Sequence, residues 1–153
     1  MIIDHIGIVV QRLEDGIRQW TDLFGYAQAT DPVVNSRQKV RVVFMSKRDS
    51  GWIKLVEPSA EDSPVWRYAQ RGGGLHHVCF RCDDVDAAVE RFRALGLHVL
   101  SGPEPGEAFE GGEIAFSYPT MNYFQSQLAE MAGGVPVWKE IPADGWTIVT
   151  IEQ

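Results

Sequence analysis

The sequence predicts an α+β fold built from two βαβββ modules that are related by an internal repeat. The first observation is that residues 4–10 align with residues 76–82, an offset of 72 positions (76 minus 4). The second is that this offset carries the apolar residues of one amphipathic helix onto those of another, at the spacing i, i+4, i+7 and i+10. The third is that each helix is followed by segments of period-two alternation rich in β-branched and aromatic residues, which is typical of strands.

The first module is predicted to begin with a strand and an amphipathic helix. Gly25 follows the helix, and glycine is the favoured residue just past a helix end. The predicted elements, in order, are strand 4–10, helix 13–24, a weaker strand 26–30, strand 39–44 and strand 52–56.

The second module repeats this order. Asp83 or Asp84 is suited to cap its helix, and Gly96 is suited to end it. The predicted elements are strand 76–82, helix 85–95, a weaker strand 98–100, strand 114–118 and strand 124–128. The last strands of the two modules share the pattern x-Leu-small-Glu, at 54–57 and 127–130. This match makes Gln127 the predicted counterpart of Lys54.

These patterns divide the chain into four parts. Residues 1–60 form the first module, 61–74 a linker, 75–132 the second module and 133–153 a C-terminal extension. Residues 146–151 in the extension are strongly β-prone. Such a strand covers a sheet edge of its own module or of a partner subunit, and we favour the partner subunit of a homodimer.

Composition excludes several classes of function. The 153 residues carry a formal charge of -7 without a Lys/Arg cluster, which argues against a nucleic-acid partner or an anionic membrane surface. No apolar run approaches the roughly 18 residues that span a bilayer, and the first residues do not resemble a signal peptide. We therefore expect a cytoplasmic protein with no nucleic-acid or membrane partner.

Two histidines are candidates for a metal site. Alternation on the first strand places His5 on the face opposite the apolar set that packs on the helix, and the repeat places His77 equivalently. Imidazole is a common ligand of divalent metals, and a pseudo-two-fold axis would bring such a pair together. The alternative from the pattern alone is that both are hydrogen-bonded polar residues at strand starts.

Lys54 and Gln127 occupy the places from which further ligands would come. The amide oxygen of Gln127 can bind a metal, whereas the Lys54 cation repels one unless it is strongly desolvated. Lys54 can instead act as a base of lowered pKa or bind the anion of a substrate.

Several segments together resemble the vicinal oxygen chelate superfamily, and within it the methylmalonyl-CoA epimerase-like and glyoxalase-like members. These segments are the duplicated βαβββ pattern, Asp4-His5-Ile6-Gly7-Ile8-Val9-Val10, Phe24-Gly25, residues 38–44, Lys54-Leu55-Val56-Glu57-Pro58 and Gly72-Gly73-Gly74-Leu75-His76-His77-Val78-Cys79. The resemblance covers residues 2 to about 131. It implies a sheet that curls around a cavity holding a divalent metal such as Zn, Co, Ni or Mn.

The resemblance places the metal ligands of the family at His5, Lys54, His77 and Gln127. Both histidines match, but Lys54 and Gln127 replace the usual carboxylate or amide ligands, so the alternative that no metal binds stays open. The same two positions supply the proton-transfer groups of the epimerases and are our candidate catalytic residues. Because neither is a carboxylate, we expect negligible α-proton exchange with methylmalonyl-CoA.

Three residues are candidates for substrate binding. Arg81 is predicted on the face of His77, where it can bind a carboxylate or phosphate, although an exposed position at the rim is an equal alternative. Trp52 and Tyr118 are predicted to line or close the cavity, the alternative being that they belong to the core.

Two classes of function follow. The first is an isomerase, epimerase or lyase that acts on a small carbonyl compound or acyl thioester through an enolate stabilised by a metal or by Lys54. The second is a protein on the same scaffold that binds or sequesters a small molecule without turnover.

Overall fold

The structure is a computed structural model that describes residues 2–105, 113–118 and 148–152. Three helices and nine strands are found in this part of the chain. In order they are β1 Ile2–Val9, α1 Leu13–Phe24, β2 Ala27–Gln28, β3 Val33–Asn35, β4 Val40–Ser46, β5 Trp52–Pro58, α2 Trp66–Gln70, β6 Gly74–Arg81, α3 Val85–Ala94, β7 His98–Pro105, β8 Glu113–Tyr118 and β9 Ile148–Glu152.

The strands form one mixed sheet that curls without closing. Its order is β2-β4-β5-β1-β6-β9-β8-β7, and β3 also pairs with β4. The antiparallel pair β1–β6 lies at the centre, and each of these strands has a parallel neighbour, β5 or β9. The order reads the same from the centre outwards in both directions, which confirms the predicted α+β fold of two βαβββ units.

Helix α1 covers the outer face of the first half. Leu13 is fully buried against Met45 and Leu55 of the sheet, and Ile6 and Ile8 of β1 pack against this cluster. The predicted division of β1 into a helix-facing apolar set and an opposite set is therefore confirmed. Gly25 ends the helix with φ of 68°, a left-handed conformation that suits glycine.

Helix α3 plays the same part in the second half. Asp84 Oδ1 accepts a hydrogen bond of 2.8 Å from the backbone N–H of Ala87, which confirms one of the two predicted caps. Val85 and Val89 pack against Ala115 of β8. The short helix α2, inside the predicted linker, covers the opposite face of β1, β4 and β5 through Ala69.

The C-terminal strand differs from the prediction. Strand β9 lies inside the predicted extension, but it pairs with both β6 and β8 of its own sheet. The preference for a contact of this segment with a partner subunit is therefore wrong, because both edges of β9 are already paired within the chain. The strand predicted at 124–128 lies outside the described residues.

Smaller differences concern the outer strands. Strand β3 was not predicted, because its three residues are too few to show a period. Strand β7 is longer than the predicted strand 98–100, because it continues through Gly102, Pro103 and Pro105, which are signals for a strand end. In the described part of the chain, no helix has the length and apolar character needed to span a bilayer.

Candidate functional site

The register of the central strands brings His5 and His77 together. Ile6 lies opposite Val78, its own counterpart at the offset of 72, so the pseudo-two-fold axis passes between these two residues. The two histidines each lie one residue from the axis and share a face of the sheet. Their Nε2 atoms are 3.2 Å apart, a hydrogen-bonding distance.

Two β-bulges extend this pair into a chain of four residues. The pairing of β1 with β6 skips Asp4 just before His5, and it skips His76 just before His77. The skipped residues are themselves 72 positions apart, and a bulge re-aims the side chain of the inserted residue. Asp4 Oδ2 is 2.8 Å from Nδ1 of His5, and Nδ1 of His76 is 2.9 Å from Nδ1 of His77. We call Asp4, His5, His77 and His76 the histidine chain.

The hydrogen bonds of the histidine chain have one consistent direction. A carboxylate only accepts, so His5 donates Nδ1–H to Asp4 and, as a neutral ring, keeps a lone pair on Nε2. His77 then donates Nε2–H to His5, and its Nδ1 accepts from Nδ1–H of His76. The lone pair of His76 is therefore on its Nε2.

Burial keeps these imidazoles neutral. Desolvation first, and then the positive charge of Lys54, lower the pKa of His5 and of His76 to about 4. The same two causes, in the same order, hold the pKa of His77 well below its ordinary value. Asp4 raises the pKa of His5 through its hydrogen bond and charge, but by less than burial and Lys54 together lower it. Neutral rings are what the one-way hydrogen-bond chain requires.

Lys54 lies inside the same cluster. Its side chain is 6% exposed, and it stands between Gly7 of β1 and Phe44 of β4 in the sheet. The Nζ atom is 5.4 Å from the centre of the Phe44 ring, a cation–π distance. The ring of fully buried His5 meets the same Phe44 edge-on, with centroids 5.2 Å apart. The lysine thus carries its charge into the interior instead of extending to solvent.

Gly7 provides the space that the His77 ring occupies. A Cβ placed on Gly7 would lie 2.0 Å from Cε1 of His77, so no other residue fits here without moving the ring. The counterpart of Gly7 at the offset of 72 is Cys79, a buried cysteine. The close approach of the two central strands therefore depends on a glycine in only one of the modules.

Two of the three predicted substrate-binding residues, Arg81 and Trp52, lie at the margin of the cluster. Arg81 is 56% exposed and its Nη2 is 3.1 Å from Oδ1 of Asp4, so it holds the outer end of the histidine chain. Trp52 is 45% exposed, and its ring centre lies 6.1 Å from that of Phe44. Tyr118 ends β8, opposite His98.

The register changes the predicted counterpart of Lys54. Lys54 lies opposite Gly7 on the parallel strand β5, and on the matching strand β9 Thr150 lies opposite Cys79. Thr150 therefore takes the position that the sequence pattern assigned to Gln127. Gln127 lies outside the described residues, and its predicted metal and catalytic roles stay predictions.

The described residues do not fit a divalent metal ion. The separation of 3.2 Å between the Nε2 atoms of His5 and His77 would suit two ligands of one ion with bonds of about 2.1 Å. The charge of Lys54 opposes it, because a buried ammonium beside the two imidazoles repels a divalent ion. Within residues 2–105, 113–118 and 148–152, no three His, Cys, Asp or Glu side chains are grouped to hold an ion.

His76 is the functional candidate that sequence reasoning missed. Strict alternation sends it to the face opposite His77, and only the bulge turns it to the same side. The signal was nevertheless visible, because the alignment that places His5 on His77 also places Asp4 on His76. Two polar residues at matched positions beside two matched histidines indicate paired bulges.

Comparison with known proteins gives consistent matches. A family model described as the glyoxalase/bleomycin resistance protein/dioxygenase superfamily matches residues 4–116. The ethylmalonyl-CoA/methylmalonyl-CoA epimerase of Cereibacter sphaeroides is 29% identical over 119 residues, which are 76% of this chain and 87% of that protein.

Two solved structures resemble the whole chain. A variant of the Streptomyces coelicolor methylmalonyl-CoA epimerase in complex with 2-nitronate-propionyl-CoA has a TM-score of 0.70 at 27% identity, covering 99% of this chain and 96% of its own. A methylmalonyl-CoA epimerase in complex with methylmalonyl-CoA and NH4+ has a TM-score of 0.69 at 27% identity, covering 98% of this chain and 93% of its own.

Proposed function

Because this chain belongs to the glyoxalase/bleomycin resistance protein/dioxygenase superfamily, we propose that it is an isomerase-type enzyme that forms an enolate at the α-carbon of a carboxylated acyl-CoA thioester. The family resemblance drawn from the sequence is thereby confirmed. The observation that carries the proposal is the buried cluster of Lys54 and the histidine chain on one face of the central strands.

The relatives indicate the class of substrate. The Cereibacter relative is an epimerase of ethylmalonyl-CoA and methylmalonyl-CoA, and the two solved relatives hold acyl-CoA compounds. Both named substrates carry a carboxylate and a thioester on one carbon, so removal of its proton gives an enolate whose negative charge is on oxygen. An enzyme of this type must stabilise that oxygen and exchange a proton with that carbon.

Lys54 is suited to stabilise the oxyanion. Its ammonium lies in a desolvated setting against Phe44, where a hydrogen bond to a charged oxygen is stronger than in water. One solved relative holds NH4+ together with methylmalonyl-CoA. Lys54 carries an ammonium group as part of the chain.

His76 is suited to exchange the proton. A proton that arrives at Nε2 of His76 can be matched by shifts of Nδ1–H to His77, Nε2–H to His5 and Nδ1–H to Asp4. The added charge is then taken up by the carboxylate of Asp4 and does not remain as an imidazolium beside Lys54. This group was not foreseen from the sequence, so the expectation of negligible exchange with methylmalonyl-CoA no longer follows from the lack of a carboxylate base.

The second candidate function is binding without turnover. Lys54 replaces one carboxylate or amide of the family pattern, and Thr150 holds the matching register position. A cluster with a cation and neutral rings binds an anion whether or not a proton moves. In this hypothesis the fold and the class of ligand are the same, but the protein does not catalyse a reaction.

Proton exchange in D₂O separates the two functions. We expect methylmalonyl-CoA or ethylmalonyl-CoA to gain deuterium at the α-carbon faster with the protein than without it, measured by mass spectrometry. His76→Gln should lower the exchange rate by about 10²–10⁴-fold, because glutamine accepts no proton. Lys47→Met, at an exposed lysine that caps the carbonyl of Phe24, is the control and should not change the rate.

Each other outcome decides against the enzyme. Saturable binding of either thioester without exchange supports the binding protein. Absence of both binding and exchange, in protein whose circular dichroism shows a folded chain, excludes both proposals for these ligands.

Three further expectations remain part of this proposal. Trp52, whose ring lies near that of Phe44, and Tyr118 both stay predicted contacts of the acyl group. Arg81 positions Asp4 in our scheme and is not required to bind the substrate. The homodimer and the cytoplasmic location both stay predictions. Light scattering of the purified protein tests the first.

A further inference from the structure

The position of Lys54 indicates which group takes the place of the metal in the family pattern. Its strand neighbours are Gly7 on one side and Phe44 on the other, and its side chain is 6% exposed. Gly7 has no side chain that would separate the lysine from the His77 ring, which lies over Gly7. The positive charge is thus fixed beside both histidines that the family pattern assigns to a metal.

The histidines have other partners in this arrangement. His5 is bonded through Nδ1 to Asp4 and through Nε2 to His77, and His77 is bonded in turn to His76. A metal would have to displace the bond between His5 and His77 and reverse the hydrogen-bond direction at His77. It would also have to enter next to the buried side chain of Lys54, whose positive charge repels a divalent ion.

We infer that the ammonium of Lys54 replaces the divalent ion in this cluster, so that the protein binds the oxyanion of a small carboxylate or thioester enolate without a metal. The enolate part of this inference rests on the proposed function, whereas the replacement of the ion does not. A single ammonium offers three N–H donors and one charge. It therefore selects a ligand with a localised negative oxygen, such as a malonyl-type carboxylate, over a neutral carbonyl compound.

The first experiment measures metal binding without any substrate. Chelator-treated wild-type protein is titrated with Co²⁺ by calorimetry, beside Lys54→Met and Lys54→Glu. We expect no saturable binding to the wild type. Lys54→Glu should bind at least about tenfold more tightly than Lys54→Met, because the first adds an attractive ligand and the second only removes the repulsion. Adding His5→Ala to Lys54→Glu should abolish binding.

Stoichiometric Co²⁺ binding by the wild type that is lost in His5→Ala would overturn the inference. So would equal binding by all three Lys54 forms, since the charge would then have no effect. Thermal melts of each variant show whether it is folded. If Lys54→Glu does not fold, the comparison of wild type with Lys54→Met still decides, because the inference requires binding to appear only after the charge is removed.

The second experiment measures the anion. Malonate and methylmalonyl-CoA are titrated into wild-type protein with EDTA present and again with Co²⁺ present. We expect the dissociation constant of each anion to be the same with EDTA and with Co²⁺. Lys54→Met should raise this constant at least about tenfold, whereas Lys47→Met should leave it unchanged. Binding that requires Co²⁺, or that survives Lys54→Met, contradicts the inference. If the wild type gives these results but shows no α-proton exchange, only the proposed enzyme is refuted.

Discussion

The two halves of the sheet repeat one strand order but carry different side chains at matched positions. The parallel strand beside the centre holds Lys54 opposite Gly7 in the first half and Thr150 opposite Cys79 in the second. Backbone pairing is thus duplicated, down to the two bulges, whereas of these two matched positions only the first carries a charged residue.

The largest predicted effect is a loss of stability from truncating the helix–sheet core, and we expect it to be greater in the first half than in the second. Leu13 and Val85 are matched at the offset of 72, and each is the first, buried residue of its helix. Leu13→Ala should lower the free energy of unfolding by about 2–5 kcal/mol, since it removes three carbons and leaves a cavity. Val85→Ala removes two carbons and should cost about 1–2.5 kcal/mol. Urea denaturation of both variants measures the difference, and equal losses would contradict the comparison.

The second prediction tests why one central strand needs a glycine. Gly7→Ala should lower the free energy of unfolding by about 1–3 kcal/mol, because its Cβ meets the ring of His77. Gly51→Ala is the matched control, since a Cβ there has no atom within 4 Å. Urea midpoints that shift equally for both variants would show that the ring moves aside freely.

The third prediction concerns stability at low pH. Lys54 lowers the pKa of a histidine in each half. Burial and Lys54 place the folded-state pKa of His5 and His76 at about 4, below the ordinary value of 6.5. The unfolded chain therefore binds more protons between these values, so stability is fully present above about pH 6.5 and is lost as the pH falls towards 4. Urea unfolding at a series of pH values should show this loss. Lys54→Met should reduce it, since one cause of the lowered pKa is gone. A flat profile would mean that the imidazoles are not buried as neutral groups.

The smallest predicted effect compares the two helix starts. Asp84 caps α3, whereas Arg12, its counterpart at the offset of 72, makes no side-chain cap for α1. Asp84→Ala should cost about 1 kcal/mol, and Arg12→Ser should stabilise the protein by up to about 1 kcal/mol. Thermal melts that move in opposite directions would support this. A loss of stability in Arg12→Ser would show that the ion pair of Arg12 with Asp15 contributes more than the new cap.

The sequence by itself determined the duplicated fold. Helical spacing of apolar residues, glycines after the helices and period-two strands all follow from local geometry, so α1, α3, β4, β5 and β8 were predicted near their observed bounds. The inward position of His5 and His77 followed as well, because alternation fixes the face of a strand once its other face is apolar.

Tertiary structure decided how the residues of the candidate site are arranged. Alternation assigned His76 to the wrong face, since a bulge depends on how two distant strands pair and leaves no periodic signal of its own. The counterpart of Lys54 also depended on pairing: a local motif selected Gln127, but hydrogen bonding between β6 and β9 placed Thr150 there. Which strand lies beside which is a long-range property of the chain. For that reason the histidine chain and its neighbouring charge appear only when the two halves are brought together.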